Sequence, residues 1–200
     1  EEAGVDAIHV SIGSIFPHPL LPPGGFPADE LNWWYGTMIS SGVRGYLNYT
    51  MFHFRILRPI FTFLWARTKR DHPIEAVSSE YCREVKKNVS VPVINTGGYQ
   101  DGAVIRRVIS EGYTDAVSIA RPLVANRDLP QILQSGKDLP DKPCSFCNRC
   151  LVNAVANPLG CYDVRRFGGD HEAMISEIMK VFHPSQFTSA AAHSGVPDAR

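Results

Sequence analysis

The sequence predicts an α/β chain built on a parallel sheet, and three observations predict it. Short apolar runs at 7–12, 91–95 and 116–120 read as strands. The stretches before and between the last two carry helical periodicity, with short turns between them. Nearly the same phrase also occurs twice, as Gly4-Val5-Asp6-Ala7 and as Gly112-Tyr113-Thr114-Asp115-Ala116. Each copy sets a glycine at a helix C-terminus, an aspartate in the loop and an apolar strand start, which is the αβ junction of stacked βα units. A chain that opens in the middle of such a unit reads as cut from a longer one.

The 200 residues suit one domain, or one domain with an appendage. The apolar fraction, 44%, is that of an ordinary globular protein. Twenty basic residues balance twenty acidic ones, so no net field argues for nucleic acid or an acidic partner. Glu1-Glu2-Ala3-Gly4 is unlike a signal peptide, and the cytoplasm is the default compartment. Three of the five cysteines lie within seven residues, crowding that suits a metal or cluster site rather than a disulfide framework.

After the first strand comes a proline- and glycine-rich loop from Phe16 to Gly25. Ligand-binding loops follow strand ends in α/β proteins, so His18 is a candidate substrate contact, with a solvated loop histidine as the plainer reading. Residues 31–69 are dense in aromatics and interrupted by arginines, and they are too charged to span a bilayer. Either an interfacial amphipathic helix or an insertion packed on the protein or a partner would account for them, and the packed insertion is favoured. Pro59 breaks or kinks any single helix there.

A helix over 75–88 follows, with Val77, Tyr81 and Val85 on one face and Ser78 or Ser79 as its cap. Cys82 within it reads as an ordinary buried cysteine. The strand at 91–95 ends in the turn Thr96-Gly97-Gly98. Asp101 caps the next helix, which carries Val104, Ile105, Val108 and Ile109 and closes at Gly112. The strand at 116–120 delivers Arg121, and a further helix starts near 126–128. Residues 170–181 form one last amphipathic helix through Met174, Ile175, Ile178 and Met179, and the tail beyond Pro184 is expected to be disordered.

Two stretches carry chemistry. Gly97-Gly98 offers backbone amides without side chains, and Arg121, one βα unit later, offers a forked cation. Consecutive strand ends followed by a short helix are where (β/α)8 barrels hold phosphate. Cys144, Cys147 and Cys150, spaced Cys-x2-Cys-x2-Cys, set three thiols along one tight loop, and Cys161 follows at a distance. That spacing suits an iron–sulfur cluster. Zinc, which more often takes two separated knuckles, and a merely reduced cluster of thiols are the alternatives.

The segments Pro92-Val93-Ile94-Asn95-Thr96-Gly97-Gly98-Tyr99 and Asp115-Ala116-Val117-Ser118-Ile119-Ala120-Arg121-Pro122 resemble the C-terminal barrel half of the old yellow enzyme family of FMN-dependent oxidoreductases. The cysteine run extends the resemblance to the dienoyl-CoA reductase and trimethylamine dehydrogenase branch. The resemblance implies a TIM (β/α)8 barrel, of which this chain holds about strands 6–8. It implies that Gly97, Gly98, Ala120 and Arg121 hold the FMN phosphate, and that Cys144, Cys147, Cys150 and Cys161 bind a [4Fe–4S] cluster. Some relatives carry arginine where this chain has Gly98, and the gap before Cys161 is slightly shorter than theirs.

On this reading 1–140 is barrel, with an insertion at about 28–72, 141–185 is the cluster segment and trailing helix, and 186–200 is tail. The implied activity is reduction of an activated alkene, an enone or dienoyl thioester, by NAD(P)H, with the cluster relaying electrons. The expected partner is a small-molecule substrate, with a homo-oligomer and peripheral membrane contact through about 50–70 both open. Strands 1–5, which carry the family's substrate-orienting residues, are absent, so the catalytic residues are unknown. The competing reading is a truncated barrel serving as a metal-binding or interaction module. A phosphate-binding barrel of aldolase or isomerase type is weaker, because it leaves the cysteines unexplained.

Overall fold

A computed structural model describes residues 4–12, 22–37, 39–69 and 73–182. His18 and the tail beyond residue 182 lie outside them. Three strands, β1 (Ile8–Ser11), β2 (Val93–Thr96) and β3 (Ala116–Ser118), form a parallel sheet in that order. Ile8 pairs with Val93 and Thr96 with Ser118, so the C-terminal ends of β2 and β3 lie side by side. Gly4 and Gly112 both adopt left-handed backbone, φ 74° and 75°, as the repeated junction predicts.

Nine α-helices occur among the described residues. The first three, α1 (Ala28–Thr37), α2 (Val43–His53) and α3 (Arg58–Lys69), fall in the aromatic region. The chain breaks between α2 and α3, and Pro59 sits in the first turn of α3, where its missing N–H has no helical partner to lose. Leu31, Tyr35 and Phe52 from this region bury themselves against Val152, with Tyr35 stacked on Phe52 at 5.6 Å. Tyr35 and Phe52, with Phe26, Trp34 and Tyr49 partly buried beside them, therefore build a core with the cysteine segment. Among the described residues no helix is long and apolar enough to cross a membrane.

Next come α4 (Ser79–Lys86), α5 (Gly102–Ser110), α6 (Arg121–Ala125) and α7 (Leu129–Gln134), followed by α8 (Arg149–Asn153) and α9 (His171–Phe182). Asp101 caps α5 as predicted, its carboxylate accepting from Ala103 N at 2.8 Å. Asp170 likewise accepts from the N–H groups of Glu172 and Ala173 ahead of α9.

Other expectations shift. Ser78 stands at the start of α4 but does not cap it: its hydroxyl lies 2.6 Å from both Asn95 Oδ1 and Thr96 O, tying the helix to β2. α4 buries Cys82 and turns Tyr81 outward, 64% exposed, because Cys82 is the residue facing the sheet. Ile109 and Ile175, predicted on buried faces, are exposed, whereas Val108, Met174 and Ile178 are buried. β3 ends at Ser118, two residues early, because the chain turns at Ala120 into α6. The helix expected near 126–128 is α7, which starts at Leu129.

Candidate functional site: a cysteine cavity beside two strand ends

The parallel register sets the Gly97-Gly98 turn, after β2, next to Ala120 and Arg121, after β3. Gly98 has φ 74°, and a Cβ there would lie 2.4 Å from the Ile74 carbonyl oxygen. At Gly97 it would lie 2.9 Å from Ser78 Oγ. Local packing thus accounts for both glycines without a ligand. Just beyond the turn, Gln100 N and Asp101 N donate to the Glu75 carboxylate at 3.2 and 3.1 Å. An internal anion therefore occupies the amides leading into α5.

Cys144, Cys147, Cys150 and Cys161 line one small cavity with Arg121, Val124, Ala125, Phe146 and Tyr162. The structure thus brings together all four predicted ligands and Arg121, while Cys82 lies apart, buried under the sheet. The cysteine loop is shaped by two left-handed residues, Phe146 (φ 51°) and Asn148 (φ 63°). The reversal turns the Phe146 N–H back onto Cys144 Sγ at 3.4 Å. Gln100 clamps the loop's start, its side-chain amide pairing with both Cys144 N (2.9 Å) and Cys144 O (3.1 Å).

A strap formed by residues 22–25 closes the other side. Gly25 N donates to Phe146 O at 2.7 Å, and Asn148 Nδ2 donates to Gly25 O at 2.9 Å. At Gly24 (φ 124°) a Cβ would lie 2.0 Å from Phe146 O, so only glycine fits. Arg121, 9% exposed, donates from Nη1 to Pro23 O at 2.5 Å and to Asn148 Oδ1, and its guanidinium lies 5.0 Å from the Phe146 ring centre. Arg166 joins the outer rim, donating to Pro143 O (2.7 Å) and Ala125 O (2.8 Å).

Burial pushes the Cys144 and Cys161 thiols up, and it pushes Cys150 up to about 12, helped by the neighbouring cysteines. Hydrogen bonds from the N–H groups of Phe146 and Asp163 act the other way on Cys144 and Cys161. Burial lowers the pKa of Arg121, and Cys144, Cys150 and Cys147 oppose that. The Arg165 fork holds Asp163 down at about 2, at 2.8 and 3.0 Å.

Four thiols and no carboxylate or imidazole make a soft donor set, suited to zinc or iron–sulfur. As the side chains stand, no group of three or more His, Cys, Asp or Glu among the described residues is arranged to hold a metal ion. The cavity is about 10 Å³, the room of one water, so a cluster would require the thiols to turn outward.

Sequence reasoning missed Gln100, Asn148 and Glu75; it singled out the loop ending at Gly25 for substrate, but not as a strap on the cysteine loop. Asn148 had a signal, since asparagine tolerates a left-handed turn better than most residues other than glycine.

Residues 63–140 match the model of the NADH:flavin oxidoreductase / NADH oxidase family, and the match ends before Cys144. NADH oxidase from Thermoanaerobacter brockii is 31% identical over 93 residues, 40% of this chain and 14% of that protein. Dimethylamine dehydrogenase from Hyphomicrobium sp. (strain x) is 31% identical over 86 residues, 43% of this chain and 12% of that protein. Cinnamate reductase from Clostridium sporogenes is 27% identical over 110 residues, 50% of this chain and 16% of that protein. The chain thus spans less than a fifth of the length of these relatives.

Proposed function

Because residues 63–140 belong to the NADH:flavin oxidoreductase / NADH oxidase family, we propose that this chain is the C-terminal part of a flavin-dependent oxidoreductase barrel. Its substrate would be an activated alkene of the enone or dienoyl thioester class, reduced with NAD(P)H. The similarity to a cinnamate reductase supports that class.

Gly97, Gly98, Ala120 and Arg121 would hold the FMN phosphate, the glycines through bare backbone and Arg121 through the guanidinium edge not engaged by Asn148 and Pro23. Phosphate at the turn would share its neighbourhood with the Glu75 carboxylate, so Glu75 positions the amides of Gln100 and Asp101 rather than leaving them for the ligand. Cys144, Cys147, Cys150 and Cys161 would hold a [4Fe–4S] cluster. When bound, the two groups would supply hydride exchange with nicotinamide and single-electron transfer.

The observation that carries this reading is the convergence of four cysteines and Arg121 on one cavity beside the two strand ends. Mononuclear zinc draws four ligands to about 2.3 Å from one ion. The Cys-x2-Cys-x2-Cys spacing, rather than the placement of the thiols, favours a cluster over zinc.

Anaerobic purification followed by absorbance and iron analysis tests the proposal. About four irons per chain, with broad absorbance near 400 nm that Cys147→Ala abolishes, is the expected result. Zinc, or no metal, would overturn the cluster. Flavin bands alongside the iron would support the phosphate assignment.

A second reading, an interaction module without catalysis of its own, is favoured by one observation. α2 and α3 turn Val43, Leu47, Ile60 and Phe63 outward, each more than half exposed. A colourless chain that nonetheless folds would support it.

A further inference from the structure

The chain is neutral as a whole, but its charge is divided unevenly along the sequence. Residues 31–70 hold Arg44, Arg55, Arg58, Arg67, Lys69 and Arg70, and no aspartate or glutamate. With six of the twenty basic residues here, fourteen remain elsewhere against all twenty acidic ones, so a stretch of net charge +6 is balanced by −6 on the rest. Such segregation points to an anionic partner for the basic part.

The same stretch is where the structure leaves large apolar side chains in water. Leu31 and Tyr35 of α1 and Phe52 of α2 are committed to the core with Val152. Outward, Val43 and Leu47 stand one turn apart on α2, and Ile60 and Phe63 one turn apart on α3. Phe54 and Ile56 occupy the turn between the helices, and all six are more than half exposed. Arg55, between Phe54 and Ile56, is exposed as well, and it lines an open groove with Thr62, Phe63 and Ala66 of α3. The carboxylate in that groove, Asp29, is held by Arg58 at 2.6 Å. Arg67, one turn beyond Phe63, is also exposed. Cations and apolar side chains therefore adjoin on one segment. The match to the flavin oxidoreductase family begins at residue 63, so α2 and the turn precede the matched segment.

Nucleic acid would match the charge but leave the aliphatic Val43, Leu47, Ile56 and Ile60 without an apolar partner. An anionic bilayer surface meets both requirements, because apolar side chains enter the acyl boundary while arginines reach the headgroup phosphates. We infer that α2, α3 and the turn between them dock on an anionic phospholipid surface, Ile56 and Phe63 entering the interface and Arg55 and Arg67 contacting lipid phosphates. The segment lies on the bilayer rather than across it, since no described helix is long and apolar enough to cross. This role is independent of the proposed flavin and cluster.

The test is sedimentation of the full chain with phosphatidylcholine vesicles, with and without phosphatidylglycerol. The unaltered chain is compared with Ile56→Ser, Phe63→Ser and the double variant Arg55→Gln/Arg67→Gln. The unaltered chain is expected to pellet with the phosphatidylglycerol vesicles and to be released as salt is raised. Each apolar substitution weakens partitioning about tenfold. The double variant weakens it about 25-fold, at about fivefold per charge. Circular dichroism stays unchanged in all three, because the four side chains are exposed. Absence of pelleting, or equal pelleting with phosphatidylcholine alone, overturns the inference. So does pelleting that the substitutions leave unchanged, which would place the contact elsewhere on the chain. A dimer in analytical ultracentrifugation that Ile56→Ser and Phe63→Ser dissociate, with no pelleting, would overturn it in favour of a second copy of the chain.

Discussion

Asn148 stands between two cysteines at φ 63°, 1% exposed, with its amide donating to Gly25 O and Pro22 O and its carbonyl accepting from Arg121. Asn148→Leu removes all three bonds and puts a bulky residue in a left-handed conformation. A loss of about 3 kcal/mol is expected from the unpaired buried groups and the strained backbone, measured by urea unfolding of the full chain.

Asp115 gives a second prediction at this scale. Its carboxylate accepts from Lys86 Nζ at 2.6 Å and from Val93 N at 2.9 Å, and these bonds hold its pKa below the usual range. The folded pKa lies below the unfolded one. The stabilisation is therefore present above the unfolded pKa and is lost as pH falls through the folded pKa. The side chain is 41% exposed, so solvent limits the effect to no more than about 1 kcal/mol. Asp115→Asn is expected to flatten the acid limb of a melting-temperature profile, and an unchanged limb would refute the linkage.

Among elements, local chemistry was the most legible. The cap at Asp101, the glycine ends at Gly4 and Gly112, the order of strands and helices from β2 to β3, and burial of Cys82 all follow from residue type and spacing. Positions decided across the chain were not. The periodicity of 75–88 cannot say that Cys82 rather than Tyr81 meets the sheet, and nothing near Ser78 announces that its hydroxyl serves β2. The cysteine spacing singled out the four thiols that meet at the cavity, but the clamps on their loop, Gln100 and the strap, come from 44 residues upstream and from the far end of the sequence.

Gly24→Ala tests the strap as an element. Its Cβ would fall 2.0 Å from Phe146 O, so the strap must lift from the cysteine loop. On the proposed cluster, the expected outcome is faster iron loss to a chelator with little change in the far-ultraviolet circular dichroism. Retention equal to the unaltered chain would show that the strap does not shield the cysteines.

For the whole molecule, Val152 joins two regions that the sequence separates. It sits on α8, two residues after Cys150, and packs with Leu31, Tyr35 and Phe52 from α1 and α2. Arg149 adds an ion pair to Glu30 at 3.1 Å. Leu31 and Tyr35 of α1 and Phe52 of α2 thus buttress the cysteine segment, while α3 keeps Ile60 and Phe63 exposed. Val152→Ala is expected to cost about 2 kcal/mol through the cavity it leaves. Because that cavity spans both regions, the near-ultraviolet aromatic signal and, on the proposed cluster, iron retention should weaken together; loss of one alone would mean that they are independent.

The sheet's first pairing, Ile8 with Val93, joins residues separated by the whole of α1–α4. Closing so long a loop delays its reward, whereas β2, α5 and β3 come together over short sequence distances. The β2–β3 unit should therefore form early in refolding and β1 should dock late. In pulse-labelled hydrogen exchange, the Ser118 region would gain protection before the amides of Ile8 to Ser11 do.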